Sequence, residues 1–345
     1  REMTEIRDQY GDDRRTELIE DDSATLPVVE NKPVAEDTAI LRLRDGQLRR
    51  MSPRMVDKYL AQPGAKDEVV ETIQTATDET LYFFTNRGNC FMLDVTRIPE
   101  TMKLKDRGSL LTGLIAGLAD HEHAVALVCV KSDEMAKKGD FLFITKNGQV
   151  KRTAAAEYGI RRARFAAINL KGNDELVGMV QVDPEDKDDI ILITQLGMAL
   201  RFKLDTVSCT GRATAGVRGI DVGKDDEVRW FEIPKAGDML FVLSDRGFGK
   251  RMLSDDVERQ GRAGKGQKLL PMNKTGETGT QVAVCLNVTG AKSVRVEQKH
   301  GHTVLLNMDE IAVERRASKG QLLVNVLLDD VVQYGALTAE TKDEK

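Results

Sequence analysis

A pattern of apolar runs broken by a short polar turn recurs along the chain and is clearest between residues 238 and 253. An apolar run from Met239 to Leu243 is followed by the polar turn Ser244-Asp245-Arg246-Gly247 and then by a second run that carries Lys250-Arg251. Glycine takes positive φ without steric cost and Asp tolerates the left-handed region, so such residues close tight turns between two strands. The pattern predicts a β-hairpin.

Five other stretches share this design. They cover residues 40–51, 81–93, 141–153, 190–204 and 294–306, and their turn glycines are Gly46, Gly88, Gly148, Gly197 and Gly301. Together with Gly247, the turns recur about every 40–60 residues, a period typical of propeller-like arrays in which each repeat is a small sheet packed against its neighbours. The sequence therefore predicts an all-β domain of six repeats over residues 38–335.

Hydrophobic patterning differs between the inner and the terminal repeats. The first strand of repeats two to five is continuously apolar, as in Leu81-Tyr82-Phe83-Phe84, which is typical of strands covered on both faces. The first strands of repeats one and six alternate instead, as Leu41-Arg42-Leu43-Arg44 and Val294-Arg295-Val296-Glu297, which is typical of strands with one solvated face. We therefore expect the first and last repeats to meet at a loosely packed seam.

The two ends of the chain differ in composition from the repeats. Residues 1–37 are rich in acids, and we expect the helical end of a preceding domain followed by an acidic linker. We expect residues 336–345 to form a disordered tail. The formal net charge is −5, but the acids concentrate at the ends, so the repeats themselves are slightly basic. The chain starts at Arg1, and we interpret it as a piece of a longer protein.

Other chemical signals in the sequence are weak. The four cysteines have no CxxC spacing, which favours a reduced, cytoplasmic protein, and no apolar segment indicates a signal peptide or a membrane partner. The pairs His121/His123 and His300/His302 lack a matched third metal ligand, and the stretch Gly261 to Gly266 lacks the spacing of a nucleotide-binding loop. We therefore predict no catalytic residue, no metal and no cofactor in this chain.

Basic residues recur at equivalent places, directly after the hairpin turn and in a loop with glycines that follows each hairpin. Equivalent positions of a ring lie on one rim, so these side chains predict a basic belt, which suits contact with phosphates and reads no base sequence. The alternative interpretation is that they only solubilise the ends of strands. The predicted DNA-binding residues are Arg49, Arg50, Lys151, Arg152, Arg161, Arg162, Arg164, Arg201, Lys203, Arg212, Arg218, Lys250, Arg251, Arg259, Arg262, Lys265, Lys268, Arg315, Arg316 and Lys319.

Two other classes of function remain open at this point. A propeller-type protein-interaction module would expose apolar patches larger than the basic belt. A propeller hydrolase would need acids or histidines that converge on the central channel.

Several segments together resemble the C-terminal part of the A-type protein of bacterial DNA gyrase and of topoisomerase IV. They are YGDDRRTELIED near the N-terminus, the hairpins LYFFTNRGNCFML and MLFVLSDRGFGKRM, and the segment TGRATAGVRGIDV. The resemblance implies a six-bladed β-pinwheel, a propeller-like repeat of four-stranded blades with a short N-terminal helical and linker extension. It also implies a basic rim that binds and bends duplex DNA beside the cleavage core of an ATP-dependent type IIA topoisomerase.

The resemblance further implies the surroundings of this domain. The expected partners are duplex DNA, the breakage-reunion domain of the same polypeptide and a B-type ATPase subunit, in the nucleoid of the cytoplasm. ATP and magnesium are expected in the whole enzyme and not in this chain. DNA is expected to bend along repeats three to six, anchored by Arg161, Arg212, Arg262 and Arg315.

Two features depart from the family pattern. The family's DNA-cleaving tyrosine follows an arginine, whereas Tyr10, Tyr59, Tyr82, Tyr158 and Tyr334 follow Gln, Lys, Leu, Glu and Gln, so this chain is not expected to cut DNA. The QRRGGKG-like box of the gyrase protein corresponds here to Gln62-Pro63-Gly64-Ala65-Lys66, without the arginine pair, and Gln260 to Gly266 is a partial match. Gyrase and topoisomerase IV therefore both remain open.

Overall fold

A computed structural model describes residues 2–11, 34–62, 69–160, 162–185, 187–272, 275–327 and 329–338. The chain separates into two compact units, Arg1–Ala35 and Glu36–Lys345. In the first unit, helix α1 spans Glu2–Tyr10. Residues 12–33, which include most of the predicted acidic linker, lie outside the described residues.

The second unit is the predicted six-bladed propeller of antiparallel sheets. Blade one contains β1 (Asp37–Leu43), β2 (Gln47–Met51), β3 (Val69–Ala76) and β6 (Ser109–Leu110); blade two contains β4 (Thr80–Thr85), β5 (Asn89–Asp94), β7 (Ala124–Val130) and β10 (Arg164–Ala166); blade three contains β8 (Asp140–Thr145), β9 (Gln149–Ala154), β11 (Leu176–Val182) and β14 (Val217–Arg218). Blade four contains β12 (Asp189–Thr194), β13 (Met198–Lys203), β15 (Val228–Glu232) and β18 (Gln267–Lys268); blade five contains β16 (Met239–Ser244), β17 (Phe248–Leu253), β19 (Val282–Asn287) and β22 (Gln321–Leu322); blade six contains β20 (Ser293–Gln298), β21 (Thr303–Asn307) and β23 (Val332–Leu337). Two further helices are α2 (Pro53–Leu60) and α3 (Leu111–Leu114).

Each of the first five blades borrows its fourth strand from the repeat that follows. The short strands β6, β10, β14, β18 and β22 lie beside the second hairpin strand of the preceding blade, whereas β3, β7, β11, β15, β19 and β23 lie beside the first. The latter strands pack against one another between neighbouring blades, as β3 does with β7 and β19 with β23, so they face the centre. The short strands therefore lie at the outer rim, and the loops that lead into them lie there too.

All six predicted hairpins are present, and their turns share one geometry. Each turn glycine has positive φ and donates its N–H to the carbonyl three residues earlier, as Gly247 does to Ser244 at 3.0 Å. In blades two to five a hydroxyl at the end of the first strand accepts a hydrogen bond from the N–H four residues later, as Ser244 Oγ accepts from Phe248 at 3.1 Å. A hydroxyl residue before the turn and a glycine within it thus set the same register in these repeats.

Apolar clusters fill the space between adjacent blades, which explains the continuous apolar strands. Along β4, Phe83 joins the cluster shared with blade one, and Phe84 joins the cluster shared with blade three. Phe84 contacts Phe141 and Phe143 edge-on, with ring centroids 5.5 and 5.6 Å apart. Since successive side chains point to opposite faces of a sheet, a strand covered by two neighbours has to be apolar at every position.

The terminal blades differ from the sequence-based prediction in one respect. Blade six alternates as predicted, since Val294, Val296 and Gln298 are buried on one face only. The expectation of a solvated face on blade one is wrong, because α2 packs Val56 and Tyr59 over that face.

The unpredicted helix begins at Pro53, a favoured residue at the first helical position, and carries apolar residues at helical spacing. At the other end, β23 continues to Leu337, so the first two residues of the predicted tail belong to a strand, and residues 339–345 lie outside the described part. None of the helices in the described ranges is both long and apolar enough to cross a membrane.

Candidate nucleic-acid interface

Four predicted site arginines lie on second hairpin strands at equivalent positions and point into the structure. They are Arg50, Arg152, Arg201 and Arg251, and each forms an isolated parallel bridge with the following repeat. Arg251 Nε donates to the carbonyl of Ile311 at 2.7 Å, and Arg152 Nε donates to the buried carboxylate of Asp140 at 2.5 Å. These half-buried guanidinium groups tie one blade to the next, which leaves them a small share of the surface.

Lys151 and Lys250 are buried, so the prediction that they lie on an exposed belt is wrong. The two residues are 1% and 0% exposed. Lys151 Nζ donates to the carbonyls of Ala167 and Arg212 at 3.1 and 2.6 Å. Lys250 Nζ donates to those of Arg315, Arg316 and Ser318 at 3.0, 2.7 and 2.5 Å. In both cases the loop of the following repeat covers the lysine, and its ammonium group holds the backbone of that loop.

Arg49 occupies the same strand position in blade one and is half-buried. Its Nη1 donates to the carbonyl of Leu104 at 3.3 Å, and its guanidinium carbon lies 4.7 Å from the ring centroid of Tyr59 on α2. Arg49 thus packs between α2 and the loop of the second repeat, with little of its charge turned to solvent.

Three loops at the rim share one backbone design, and we name them rim loops four (211–216), five (261–266) and six (315–320). Each contains an arginine whose Nη1 donates to a carbonyl on the short strand of the preceding blade. Arg212 bonds Ala166 at 2.6 Å, Arg262 bonds Arg218 at 2.5 Å, and Arg316 bonds Lys268 at 2.8 Å. The acceptors occupy equivalent positions on β10, β14 and β18, so these arginines connect neighbouring rim segments in the same way around three successive blades.

The glycines that end these loops are required for packing. A Cβ on Gly216, Gly266 or Gly320 would lie 2.7, 2.4 or 2.4 Å from a carbonyl oxygen of the adjacent hairpin strand, and a Cβ on Gly108 of the second repeat would lie 2.8 Å from one. Real Cβ contacts are longer than this, so the backbone approaches closely only because no side chain is present. The sequence analysis associated loop glycines with phosphate contact, but the structure gives them this local reason.

The other predicted cations of the rim are exposed. They are Arg162, Arg164, Lys203, Arg218, Arg259, Lys265, Lys268, Arg315 and Lys319, while Arg161 lies outside the described residues. Arg164 Nη1 donates to the carbonyl of Gly117 at 3.1 Å, and Arg259 is bonded to the buried carboxylate of Asp189 at 2.8 Å. Within the described part of the chain no acid forms an ion pair with Lys265, Lys268 or Lys319.

Carboxylates beneath the rim hold some of the cations in place. Asp189 is buried and accepts hydrogen bonds from both Arg201 and Arg259. Burial acts to lower the pKa of Arg201, but hydrogen bonds to Asp189 and Asp255 outweigh it, so its pKa lies above the usual value. Arg201 therefore acts as a permanent cation between two acids, which makes it a structural tie.

The sequence analysis missed part of the rim. Lys103, Lys105 and Arg107 precede β6 at the place that rim loops four to six occupy in later repeats, and all three are exposed. The dipeptide Arg107-Gly108 already carried the signal, because Gly108 packs as the loop glycines do. The buried partners Asp140 and Asp189 had no such signal, since each is one acid among many in the sequence.

The histidine pairs considered as metal ligands lie in exposed turns. His121 and His123 flank the buried Glu122, whose carboxylate accepts from Thr85 Oγ1 at 2.6 Å and Asn89 Nδ2 at 2.7 Å. Among the residues that the structure describes, no group of three His, Cys, Asp or Glu side chains is placed to hold a metal ion.

Comparisons with known proteins agree on one family. A family model described as DNA gyrase C-terminal domain, beta-propeller, matches residues 139–183, 188–235 and 238–279, which contain the hairpins of blades three to five. Over its full length the chain is 33% identical to the A-type protein of DNA gyrase from Deinococcus deserti and 29% identical to that from Salmonella typhimurium, of which it spans 43% and 39%. The chain thus spans less than half the length of these relatives.

Solved structures show the same fold. The crystal structure of the C-terminal domain of DNA topoisomerase IV matches with a TM-score of 0.78 and 24% identity, over 88% of this chain and 94% of that one. A structure of the DNA gyrase A C-terminal domain matches with a TM-score of 0.61 and 18% identity, over 88% of this chain and all of that one.

Proposed function

Because the chain belongs to the family of DNA gyrase C-terminal β-propeller domains, we propose that its rim binds and bends duplex DNA without reading base sequence. The observation that carries this proposal is the recurrence of one basic loop design on successive blades. Rim loops four, five and six each place an arginine across to the preceding rim segment and expose further cations beside it.

The chemistry of these loops suits a phosphate backbone. A guanidinium group has five N–H donors in a fixed fork, and Arg212, Arg262 and Arg316 each use Nη1 on a carbonyl, which leaves further donors for an anion. Lys265, Lys268 and Lys319 add exposed point charges that no described acid neutralises. Such contacts neutralise phosphates wherever the duplex lies, so they confer affinity without sequence preference.

Bending follows from the position of the loops. They lie on successive blades of a ring, so a duplex that contacts several of them at once has to follow the curvature of the rim. Smooth bending of a short duplex costs on the order of 1–6 kcal/mol, which several phosphate contacts can offset. Arg212, Arg262 and Arg315 are the proposed anchors that the structure describes, whereas Arg161 and the box residues 63–66 lie outside the described residues.

The wider setting is part of the same proposal. The chain spans less than half of its gyrase relatives, and we place it as the DNA-bending part of the A-type protein of an ATP-dependent type IIA topoisomerase. Its partners would be the breakage-reunion domain of that protein and a B-type ATPase subunit, in the nucleoid of the cytoplasm. The strand cleavage would be carried by that other domain, since no tyrosine of this chain follows an arginine.

A salt titration tests the binding mode directly. For a random-sequence duplex of about 40 base pairs, we expect the affinity to fall with salt, with a log–log slope of about −0.9 for each phosphate that is neutralised. Reversal of four exposed rim cations, with Arg218, Lys265, Lys268 and Lys319 changed to Glu, should weaken binding to all sequences alike. The melting temperature should stay nearly constant, because exposed charges contribute little to folding stability.

A matched control reverses four exposed lysines that lie in connecting segments away from the rim loops. These are Lys137, Lys187, Lys224 and Lys299, and the same change to Glu gives the same net charge. We expect this variant to retain most of the affinity. A slope near zero for the unaltered protein, or equal losses in the two variants, would refute a binding surface at the rim.

A further inference from the structure

The buried lysines of blades three and five face the rim loops from below. Burial of an ammonium group costs several kcal/mol unless it is fully hydrogen-bonded, and such groups are rarely retained for packing alone. Lys250 meets this demand, because its three donors match the three carbonyls of Arg315, Arg316 and Ser318. Lys151 bonds Ala167, which follows β10, and Arg212 of rim loop four.

The chain itself contains an apolar version of this position. In blade four the residue equivalent to Lys151 and Lys250 is Leu200, which is also buried and packs beside Gly264 of rim loop five. A leucine therefore satisfies the packing requirement beneath a rim loop. The lysines contribute something that packing does not demand, namely hydrogen bonds to the backbone of the loop.

The bonded carbonyls belong to the residues that carry the proposed phosphate contacts. Lys151 holds the backbone of Arg212, and Lys250 holds the backbone of Arg315 and Arg316. Fixing the main chain at these residues limits the orientations of their side chains, which lowers the entropy that is lost when they meet an anion.

We propose that Lys151 and Lys250 are positioning residues for duplex binding, which hold the arginines of rim loops four and six in the arrangement that meets phosphate. This inference rests on the proposed function. Neither lysine can touch DNA, since both are covered by protein, so each acts only through the loop above it.

The protonation state of these lysines supplies an independent readout. Burial lowers the pKa of both to about 8. The charged or ionisable groups around Lys151 are Arg212, Glu157 and Cys209, and those around Lys250 are Glu314, Arg316 and Asp256. Above that pH each lysine loses a donor and its charge, while arginines and exposed lysines, with pKa values near or above about 10.4, remain charged.

The first test replaces Lys151 and Lys250 singly by Met and measures duplex affinity and its salt dependence. We expect each variant to bind about three- to tenfold more weakly and its log–log slope to shrink by up to about 0.9 per displaced arginine, although no exposed charge has been removed. Leu200→Met is the matched control at the equivalent position and should leave both quantities unchanged.

A double-mutant cycle separates positioning from a general effect of charge. If Lys250 acts through rim loop six, Lys250→Met should cost little affinity once Arg315→Ala and Arg316→Ala are present, because the groups it positions are gone. Additive losses would overturn the proposal, since they would place the contribution of Lys250 elsewhere.

The outcomes also distinguish this inference from the proposed function. Salt-dependent binding by the unaltered protein together with unchanged affinity in both Met variants would overturn the positioning role alone. An absence of salt-dependent binding by the unaltered protein would overturn both. Should a Met variant fail to fold, as judged by circular dichroism, the unaltered protein decides: its affinity should fall between about pH 7 and pH 9, and a constant affinity contradicts the proposal.

Discussion

At the scale of single residues, the position of a charge in the fold determines its role more than its type does. Lys250 and Lys265 are only 15 positions apart in the sequence, yet the first is covered by a loop and the second is exposed. The same holds for acids, because Asp189 is buried between two arginines whereas Asp221 pairs at the surface with Arg218. Substitutions of buried and exposed charges should therefore have opposite effects on stability and on binding.

Glu232 gives a prediction about stability and pH. Burial, with a smaller contribution from Asp238, raises the pKa of this carboxyl to about 7. In the unfolded chain the carboxyl titrates near its ordinary value, so between about pH 4.3 and 7 the folded state binds more protons and its stability falls as the pH rises. Glu232→Gln should therefore raise the free energy of unfolding at pH 8 by roughly 1–3 kcal/mol and change it little near pH 4.

Denaturant titrations at the two pH values measure this difference. Glu258→Gln, an exposed acid on the same propeller, serves as the control and should show no comparable dependence on pH. Equal stabilities of the Glu232→Gln variant and the unaltered protein at pH 8 would contradict the assigned burial cost.

At the scale of elements, the hairpins and the rim loops obey different constraints. A hairpin is set by local residues, since the turn glycine and the preceding hydroxyl residue bond within four positions of each other. A rim loop depends on the neighbouring blade, because its closing glycine lies against a strand far away in the sequence, as Gly266 does against Ala199. Loops of this kind tolerate little change where they touch the strand and more at their exposed side.

Two glycines of rim loop five form a matched pair for this prediction. Gly266 has φ +76°, and a Cβ there would lie 2.4 Å from the carbonyl oxygen of Ala199, whereas a Cβ on Gly261 would meet nothing within 4 Å. We expect Gly266→Ala to lower the free energy of unfolding by roughly 1–3 kcal/mol, and Gly261→Ala to change it by less than about 1 kcal/mol. Thermal unfolding of the two variants measures this, and equal melting temperatures would contradict the close approach.

At the scale of the whole propeller, the junction between the first and last blades differs from the other five. Apolar clusters join blades one to two, two to three and onward to six. Among the described residues, blades one and six meet instead through Arg44, whose Nη1 lies 2.5 Å from Glu297 Oε2 and whose guanidinium carbon lies 3.9 Å from the ring centroid of Tyr334. The predicted weakly packed seam thus corresponds to a polar junction.

Arg44→Met should loosen this junction selectively. A partly exposed ion pair and a cation–π contact each contribute about 0.5–1 kcal/mol, so the global stability should change little. Backbone hydrogen exchange should nevertheless become faster in β1, β20 and β23 and stay unchanged in blades three and four. Arg54→Met on the exposed side of α2 is the control, and unchanged protection of β1 and β20 in the Arg44 variant would show that the junction does not depend on this residue.

The sequence by itself determined the hairpins, their number and the apolar strands between blades. These features depend on φ preferences and on alternation along a strand, which are properties of a few consecutive residues. It also located rim loops four to six through their recurring Arg, Ala and Gly residues. The resemblance of several segments to one family supported the same fold, and the comparisons agree with it.

Only the tertiary structure decided which charges reach the surface. Leu200, Lys151 and Lys250 occupy one strand position, and nothing in the local sequence indicates that all three are buried. Their burial results from the exchange of short strands between blades, which lays the loop of one repeat over the hairpin of the repeat before it. The helix over blade one and the polar junction with blade six have the same origin, because they depend on which faces the ring leaves without an apolar neighbour.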